Sequence, residues 1–245
     1  MWDEKKASGG TRRIEAPRSD LKAIQKRIAE LLQRVLPPEF LFSPVKGRSY
    51  VENALAHRGC TEVRLLDVVN YFGNCTDLSV YSFFHRDLKC APDVAWMLTG
   101  LTTRDGHLPQ GSPCSPILSF YSYKPMWDSI AKAVVEAGCT LTVYVDDITI
   151  SGVNVPESLV WSVKQTLRRF GHAHHKLKER RHANRPAEIT GIIVANDRVR
   201  VPHRHFRKMQ QARLDARIET DETAKAKLVA RARSLEIQVQ RLNQA

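Results

Sequence analysis

The sequence predicts an α+β fold, in which helices pack against a mainly antiparallel sheet. Apolar residues recur at helical spacing from Leu21 to Val35, which predicts an amphipathic helix. Residues 62–67 form a short apolar run that ends in an acid, as expected for a buried strand. Residues 140–151 alternate around two aspartates, which predicts a β-hairpin. A chain of 245 residues can bury such a core as one domain or as two subdomains.

The first elements are predicted to be one short strand and two helices. Gly9 and Gly10 favour a turn that leads into the strand. The amphipathic helix ends before Pro37 and Pro38, because proline cannot continue a helix. A second helix is predicted for residues 50–58.

The remaining elements are predicted to cover the sheet and close the chain. Residues 115–137 are expected to form one helix across the sheet. Pro156, at a first helical position, precedes an apolar stripe that reaches Phe170 and predicts another helix. Residues 191–194 have the pattern of a strand, and residues 222–243 that of a closing helix in a small helical unit.

The charge of the chain favours an anionic partner. The formal net charge is +12, from 38 Lys and Arg against 26 Asp and Glu. Residues 164–213 hold fourteen Lys or Arg and three acids, which predicts a basic wall suited to nucleic-acid phosphates. A solvated surface that only maintains solubility is the alternative.

The cysteines and the hydropathy favour a cytoplasmic location without a membrane. The five cysteines are far apart, and no apolar signal region begins the chain. No stretch approaches the roughly 18 apolar residues that a membrane span needs.

Three carboxylates are candidates for a metal site. Asp67 ends one predicted strand, and Asp146 and Asp147 stand at the turn of the predicted hairpin. Acids held close together repel one another unless a cation neutralises them, and oxygen ligands at a strand end suit Mg²⁺. Two such ions could support an in-line displacement at phosphorus. Taken alone, the aspartate pair could equally be an ordinary turn.

Three motifs in order resemble the reverse transcriptase family, over residues 5–210. Residues 65–72 (LLDVVNYF) resemble its first catalytic motif, residues 108–116 (LPQGSPCSP) its substrate loop, and residues 144–147 (YVDD) its metal-binding hairpin. The resemblance implies catalysis by Asp67, Asp146 and Asp147. It implies two Mg²⁺ ions, or Mn²⁺, held by these aspartates and Val68, with Asp147 mainly orienting the hairpin.

The resemblance also implies contacts with the incoming deoxynucleotide. Phe72 occupies the position of the aromatic gate that excludes a ribose 2′-hydroxyl, which argues against RNA polymerisation. Lys178 matches a lysine that protonates pyrophosphate, although Lys176 could serve instead. The full set of expected dNTP contacts is Arg12, Arg13, Phe72, Gln110, Gly111 and Lys178.

Two segments are similar to the retron branch of the family. Residues 53–57 (NALAH) match the retron N-A-x-x-H pattern, and residues 189–191 (ITG) resemble its V-T-G. Residues 73–75 and the short segment before the first strand depart from the retron pattern, which leaves a related defence-associated enzyme as a rival. The expected RNA-binding residues are Asn53, His57, Arg204, Arg207 and Lys208. On a helix Asn53 and His57 would share a face, which could contact RNA or a neighbouring loop, and either residue could instead be an internal polar group.

The resemblance implies a right-hand polymerase fold with fingers at 1–62, an antiparallel-sheet palm at 63–200 and a short basic helical thumb at 201–245. The expected activity is RNA-directed DNA synthesis on a cognate structured non-coding RNA that serves as template and primer. The expected products and partners are cDNA, an RNA–DNA hybrid and an antiphage effector protein, in the bacterial cytoplasm, with oligomers possible in principle. The alternative is a non-catalytic RNA-binding scaffold of a defence complex.

Overall fold

The computed structural model describes residues 2–5, 11–195 and 198–243. These residues form strands in three sheets, together with α-helices. The strands are β1 Trp2–Lys5, β2 Thr11–Ile14, β3 Leu41–Ser43, β4 Glu62–Asp67, β5 Thr140–Tyr144, β6 Asp147–Gly152, β7 Arg180–Ala183, β8 Ala187–Ile189, β9 Ile192–Ala195 and β10 Arg198–Arg200. The helices are α1 Ser19–Leu32, α2 Tyr50–Leu55, α3 Asp77–Ser82, α4 Pro92–Thr102, α5 Ser115–Tyr121, α6 Lys124–Glu136, α7 Glu157–Arg169, α8 His203–Ile218 and α9 Glu222–Asn243.

The largest sheet has five strands in the order β3-β5-β6-β4-β7. Only the β3–β5 pair in it is parallel, so the predicted, mainly antiparallel sheet is confirmed. Strands β5 and β6 form the predicted hairpin, and β4 covers the predicted residues 62–67. Because β4 and β6 are antiparallel, the end of β4 and the start of β6 lie at the same edge of the sheet, and both carry an acid.

The two faces of this sheet have different partners, because successive side chains of a strand point to opposite faces. Leu141, Val143, Ile148 and Ile150 are buried on one face, in a core shared with helices α5, α6 and α7. Thr142, Thr149, Ser151 and Asp147 alternate with them and occupy the other face. Helix α2 and part of the second sheet cover that other face only in part, so it is left open beside the aspartates.

The prediction of a single helix over residues 115–137 is wrong, because the structure has two helices there. Helix α5 ends at Tyr121 and α6 begins at Lys124. Pro125 lies in the first turn of α6, where its fixed φ and missing N–H are tolerated but where a continuous helix would lose a hydrogen bond. The break allows α5 and α6 to lie on different parts of the core, with Phe120 and Trp127 stacked at a centroid distance of 6.1 Å.

Helix α2 packs against a second, three-stranded sheet with the order β10-β9-β8. Its Val51 and Ala54 share a small core with Ile189, Ile192 and Val194. The helix is shorter than the predicted 50–58 and continues as a turn, and a Ser49–Glu52 capping box fixes its start. The predicted strand at 191–194 is confirmed as β9.

The ends of the chain form a hairpin and a helical pair. Strands β1 and β2 are antiparallel, while the turn predicted at Gly9 and Gly10 lies outside the described residues. Helices α8 and α9 pack mainly on each other, and α9 spans the predicted residues 222–243. Among the helices that the structure describes, none combines the length and apolar character needed to span a bilayer.

Candidate active site

The three predicted acids lie together at one edge of the five-stranded sheet. Asp67 at the end of β4 is the direct cross-strand partner of Asp147 at the start of β6. The Val68 N–H donates a hydrogen bond to the Asp146 carbonyl at 3.0 Å, so the pairing continues past Asp67 to the next residue. Cross-strand partners have Cα atoms about 5 Å apart, and the acids are therefore neighbours.

The turn that presents Asp146 is conformationally strained. Only Val145 and Asp146 separate β5 from β6, and Val145 has a φ of +61°. Two-residue hairpin loops commonly need a positive φ, which glycine adopts easily. A β-branched residue there costs about 1–3 kcal/mol, and such strain is typical of functional sites. The pairing of β5 with β6 must therefore offset this strain and keep the aspartates at the edge of the sheet.

Lys178 is the lysine that reaches the acids. Its Nζ donates a hydrogen bond to Asp67 Oδ2 at 2.7 Å. The loop that carries it is anchored to β4, because the His175 N–H donates to the Asp67 carbonyl and the Val69 N–H donates to the Ala173 carbonyl, both at 2.7 Å. Lys176 lies on the same loop and is exposed. The geometry therefore favours Lys178 over Lys176 as the basic group of the site.

The electrostatics of the site disfavour three negative charges. Asp147 is exposed as a residue, but desolvation of its carboxyl by the surrounding protein, followed by repulsion from Asp146 and Asp67, raises its pKa to about 7. Lys178 acts in the opposite direction. A bound cation would relieve the repulsion that raises this pKa.

The chemistry of these side chains fits a hard divalent cation better than zinc. All three offer carboxylate oxygens, the ligand type that Mg²⁺ and Mn²⁺ prefer. Within residues 2–5, 11–195 and 198–243, no three His, Cys, Asp or Glu side chains are drawn together into a preformed metal cluster. Asp67 is instead neutralised by Lys178, so a cation would bind in exchange for that ion pair.

Phe72 lies in a 3-10 turn five residues after Asp67 and is half-buried. Its ring contacts Tyr71 at a centroid distance of 5.8 Å. Tyr71 is buried and donates a hydrogen bond from its hydroxyl to the Ser119 carbonyl at 2.9 Å. Tyr71 thus holds the turn against the core, and part of the Phe72 ring remains exposed to solvent.

The predicted substrate loop is docked on the N-terminal hairpin. The Glu15 N–H donates to the Gln110 carbonyl at 2.7 Å, and Gly111 has a φ of +117°. A β-carbon on Gly111 would lie 3.1 Å from Ile14 Cγ2, so close approach and backbone conformation both require glycine here. Arg13 is exposed, and its Nε lies 3.8 Å from Glu15 Oε1. The side chain of Arg12 lies outside the described residues.

Direct RNA contact by Asn53 and His57 is contradicted by their burial. Asn53 is 1% exposed and His57 is fully buried. His57 Nδ1 and Nε2 form hydrogen bonds with Ser151 Oγ at 2.6 Å and Thr142 Oγ1 at 2.7 Å. Both side chains point into the protein because the polar face of the β5–β6 hairpin and the 189–191 turn supply their hydrogen-bond partners.

The predicted basic residues of α8 differ in their surroundings. Arg207 and Lys208 are exposed. Arg204 forms a bidentate ion pair with Glu188, in which one bond measures 2.8 Å. A guanidinium that already bonds both oxygens of a carboxylate is less available to a phosphate than one in solvent. Arg207 and Lys208 are therefore the stronger RNA-binding candidates.

A cleft of about 260 Å³ opens beside the acids and includes residues that the sequence alone did not single out. Glu188 is the main residue of the cleft that the sequence analysis did not predict. It directly precedes the retron-like residues 189–191, and this position could have indicated a place in the site. The lining residues that can form polar contacts with a ligand include Asp67, Asp147, Thr149, Lys178, Glu188, Thr190 and Gly191.

His172 is a second residue that the sequence reasoning missed. It is 2% exposed, and its ring contacts Tyr123 and Tyr71 at centroid distances of 4.5 and 5.3 Å. Neither ring nitrogen has a hydrogen-bond partner among the described residues. Burial lowers the pKa of His172 to about 4.

The neutral burial of His172 predicts a pH-dependent contribution to stability. An unfolded histidine titrates near pH 6.5, so as the pH falls from 6.5 to 4 the unfolded chain takes up a proton that the folded chain does not. At pH 4.5 this destabilises the protein by on the order of 2 kcal/mol. Urea denaturation at pH 7.5 and 4.5 should show that His172→Phe loses less stability on acidification than the wild type.

The comparison of His172→Phe with the wild type isolates this one group. Asp147, whose raised pKa acts in the opposite sense, and His57, whose pKa burial lowers to about 4, are common to both proteins. Equal losses of stability on acidification in the two proteins would contradict the interpretation.

The fold of this chain resembles that of two solved structures. Two structures of apo telomerase from Candida tropicalis resemble this chain, with TM-scores of 0.59 and 0.56 at 12% and 11% sequence identity. They cover 86% and 74% of this chain, which covers 43% and 45% of theirs. At this identity the likeness is one of fold alone.

The sequence comparison gives the family. The family model described as reverse transcriptase (RNA-dependent DNA polymerase) matches residues 4–193, and the chain therefore belongs to this family. The retron Se72 reverse transcriptase of Salmonella heidelberg is 31% identical over 141 residues, and the retron Ec86 reverse transcriptase of Escherichia coli is 23% identical over 215 residues. These relatives confirm the retron-type resemblance.

The chain spans only part of the length of these relatives. The alignment to the Salmonella protein covers 57% of this chain and 37% of the relative, and the alignment to the Escherichia coli protein covers 81% and 63%.

Proposed function

We propose that this protein is an RNA-directed DNA polymerase that copies a cognate structured non-coding RNA into cDNA. The observation that carries the proposal is the pairing of Asp67 with Asp147 across adjacent strands, with Asp146 beside them. Lys178 adds a basic group 2.7 Å from Asp67. Family membership alone would allow an inactive member, whereas acids held together by strained backbone favour an active one.

Asp67 and Asp146 would be the principal ligands of two Mg²⁺ ions, with Val68 contributing from the backbone and Asp147 orienting the hairpin. When bound, such ions activate the attacking hydroxyl and stabilise the leaving oxygen. Lys178, released from Asp67, would be free to donate a proton to the departing pyrophosphate. Mn²⁺ could replace Mg²⁺, because it accepts the same oxygen ligands.

The incoming deoxynucleotide would lie between the hairpin β1–β2 and the five-stranded sheet. Phe72 would contact the sugar, and the backbone at Gln110 and Gly111 would approach the base pair, since glycine leaves space there. Arg13, and Arg12 beside it in the sequence, would bind the triphosphate. Guanidinium groups suit this role because they grip phosphate oxygens in a bidentate manner.

Residues 1–62, 63–200 and 201–245 would correspond to fingers, palm and thumb. Helix α8 presents exposed Arg207 and Lys208, and we assign to this region the contacts with the RNA template and the RNA–DNA hybrid. Because such contacts displace counterions, binding should weaken steeply with salt.

The retron relatives favour a setting in bacterial defence. We propose that the cognate RNA supplies both template and primer, that an effector protein is associated, and that the system acts against phage in the cytoplasm. The nucleic acid that copurifies with the protein, sequenced as RNA and as DNA, would identify the template. A covalently linked RNA–DNA species would establish priming from the RNA itself.

The direct test is incorporation of labelled dNTPs by the purified protein with its copurifying RNA. We expect labelled DNA in the presence of Mg²⁺ and none after chelation with EDTA, because the acids need a counter-cation to bind a triphosphate. Tight RNA binding without incorporation under either Mg²⁺ or Mn²⁺ would contradict the polymerase and favour the scaffold.

A further inference from the structure

Helix α2 is bonded to two different parts of the active-site region. Within the helix, Asn53 Nδ2 donates a hydrogen bond to Thr190 Oγ1 at 3.1 Å, across 137 residues of sequence. Just beyond its end, His57 bonds to Thr142 on β5 and Ser151 on β6. The same short helix therefore contacts the strands that carry Asp146 and Asp147 and the turn at residues 189–191.

The turn at Thr190 and Gly191 forms part of the wall of the cleft beside the acids. Both residues have positive φ values, +45° and +87°. Glycine adopts such a conformation readily, but a β-branched threonine does not. The turn therefore needs support from its surroundings, and the hydroxyl of Thr190 supplies it by accepting from Asn53 and donating to the Tyr50 carbonyl at 2.9 Å.

The amide of Asn53 is expensive to bury. Its Oδ1 has no hydrogen-bond partner among the described residues, and an unsatisfied buried acceptor is destabilising. An apolar side chain of similar size would avoid this cost in the small core around α2. The donor Nδ2, bonded to Thr190, is thus the group that gives an asparagine an advantage at this position.

We propose that Asn53 and Thr190 are positioning residues that hold the 188–191 wall of the cleft in register with the aspartate-bearing hairpin, so that a nucleic-acid strand in the cleft meets the acids correctly. This rests on the proposed polymerase function. The occupant of the cleft beside Asp67 and Lys178 is then a primer strand, and the bond from Asn53 sets how tightly the wall holds that strand. His57 attaches the segment that follows α2 to β5 and β6 through its bonds to Thr142 and Ser151.

The test is Thr190→Val, which keeps the β-branched shape and removes the hydroxyl. We expect the KM for a primer–template duplex to rise about tenfold, the loss that corresponds to one net hydrogen bond. The KM for dNTP should stay within about twofold, because the predicted nucleotide contacts lie on other segments. Thr190→Ser, which retains the hydroxyl, should restore most of the affinity.

A matched control separates positioning from general destabilisation. Thr99 is buried and also bonds through its hydroxyl, which donates to the Ala95 carbonyl at 2.7 Å in helix α4. Thr99→Val should lower the melting temperature by a similar amount without changing the KM for the duplex. Equal KM values for Thr99→Val and Thr190→Val would overturn the proposal.

A double-variant cycle tests the pairing itself. If Asn53 acts through Thr190, adding Asn53→Ala to Thr190→Val should raise the KM for the duplex by less than about twofold, although Asn53→Ala alone raises it severalfold. Independent, multiplying effects would overturn the proposal while leaving the polymerase function intact. Absence of incorporation by the wild type would instead contradict the polymerase function.

Discussion

Asp146→Asn should reduce dNTP incorporation by at least about a thousandfold, the loss expected when a group that acts only with its partners is removed. The substitution keeps the size of the side chain and removes one charge from a site where three acids meet. A divalent cation would lose a carboxylate ligand that a neutral amide replaces poorly. Single-turnover incorporation on the copurifying RNA is the measurement.

The same variant should keep or slightly increase its melting temperature. Repulsion from Asp146 contributes to the raised pKa of Asp147, and that repulsion disappears with the charge. RNA affinity should be unchanged. Asp128→Asn is a matched control, because Asp128 is exposed and pairs only locally with Lys124 in α6, so its activity should equal that of the wild type. Retained incorporation by Asp146→Asn would refute the metal assignment.

Phe72→Val should relax the choice between deoxy- and ribonucleotides by about tenfold to a hundredfold, the range in which one apolar contact discriminates between substrates. Phe72 is half-buried, and its turn is held in place by Tyr71 and the Ser119 carbonyl. A shorter side chain would leave space for a 2′-hydroxyl, while the backbone of the turn stays in place. The ratio of kcat/KM for dCTP and CTP on one template measures the effect.

Phe40→Val provides the comparison for the loss of a half-buried ring. Phe40 packs against Phe120 at a centroid distance of 6.1 Å in the main core, so its truncation should cost stability without altering sugar selection. Unchanged selection in Phe72→Val, with incorporation intact, would show that Phe72 does not contact the sugar.

The elements that the sequence predicted correctly are those with a strong local period. Strand β4, the β5–β6 hairpin and α9 match the predicted segments, because alternation and helical spacing are present in consecutive residues. Helix α1 is confirmed but ends at Leu32, before the predicted end near Val35. The break between α5 and α6 was missed. Pro125 was a local signal of the break, whereas the change of direction follows only from the packing of both helices on the core.

Side-chain direction was the property that local patterns could not supply. On the predicted helix 50–58, Asn53 and His57 would share one face, and the sequence allowed that face to contact RNA or the protein interior. The decision depends on Thr142, Ser151 and Thr190, which lie 85 to 137 residues away in the chain. The residues next to a polar side chain in the sequence do not indicate whether its hydrogen-bond partner is another part of the protein or a ligand.

By itself, the sequence determined that three acids stand at strand ends, that a gate-like phenylalanine follows one of them, and that the chain carries the motifs of a reverse transcriptase. Only the tertiary structure decided that Asp67 faces Asp147, that Lys178 rather than Lys176 reaches them, and that helix α2 braces the site from within. The reason is physical. Strand ends and turns follow from neighbouring residues, whereas an ion pair or hydrogen bond across more than a hundred residues exists only once the sheet has set its register.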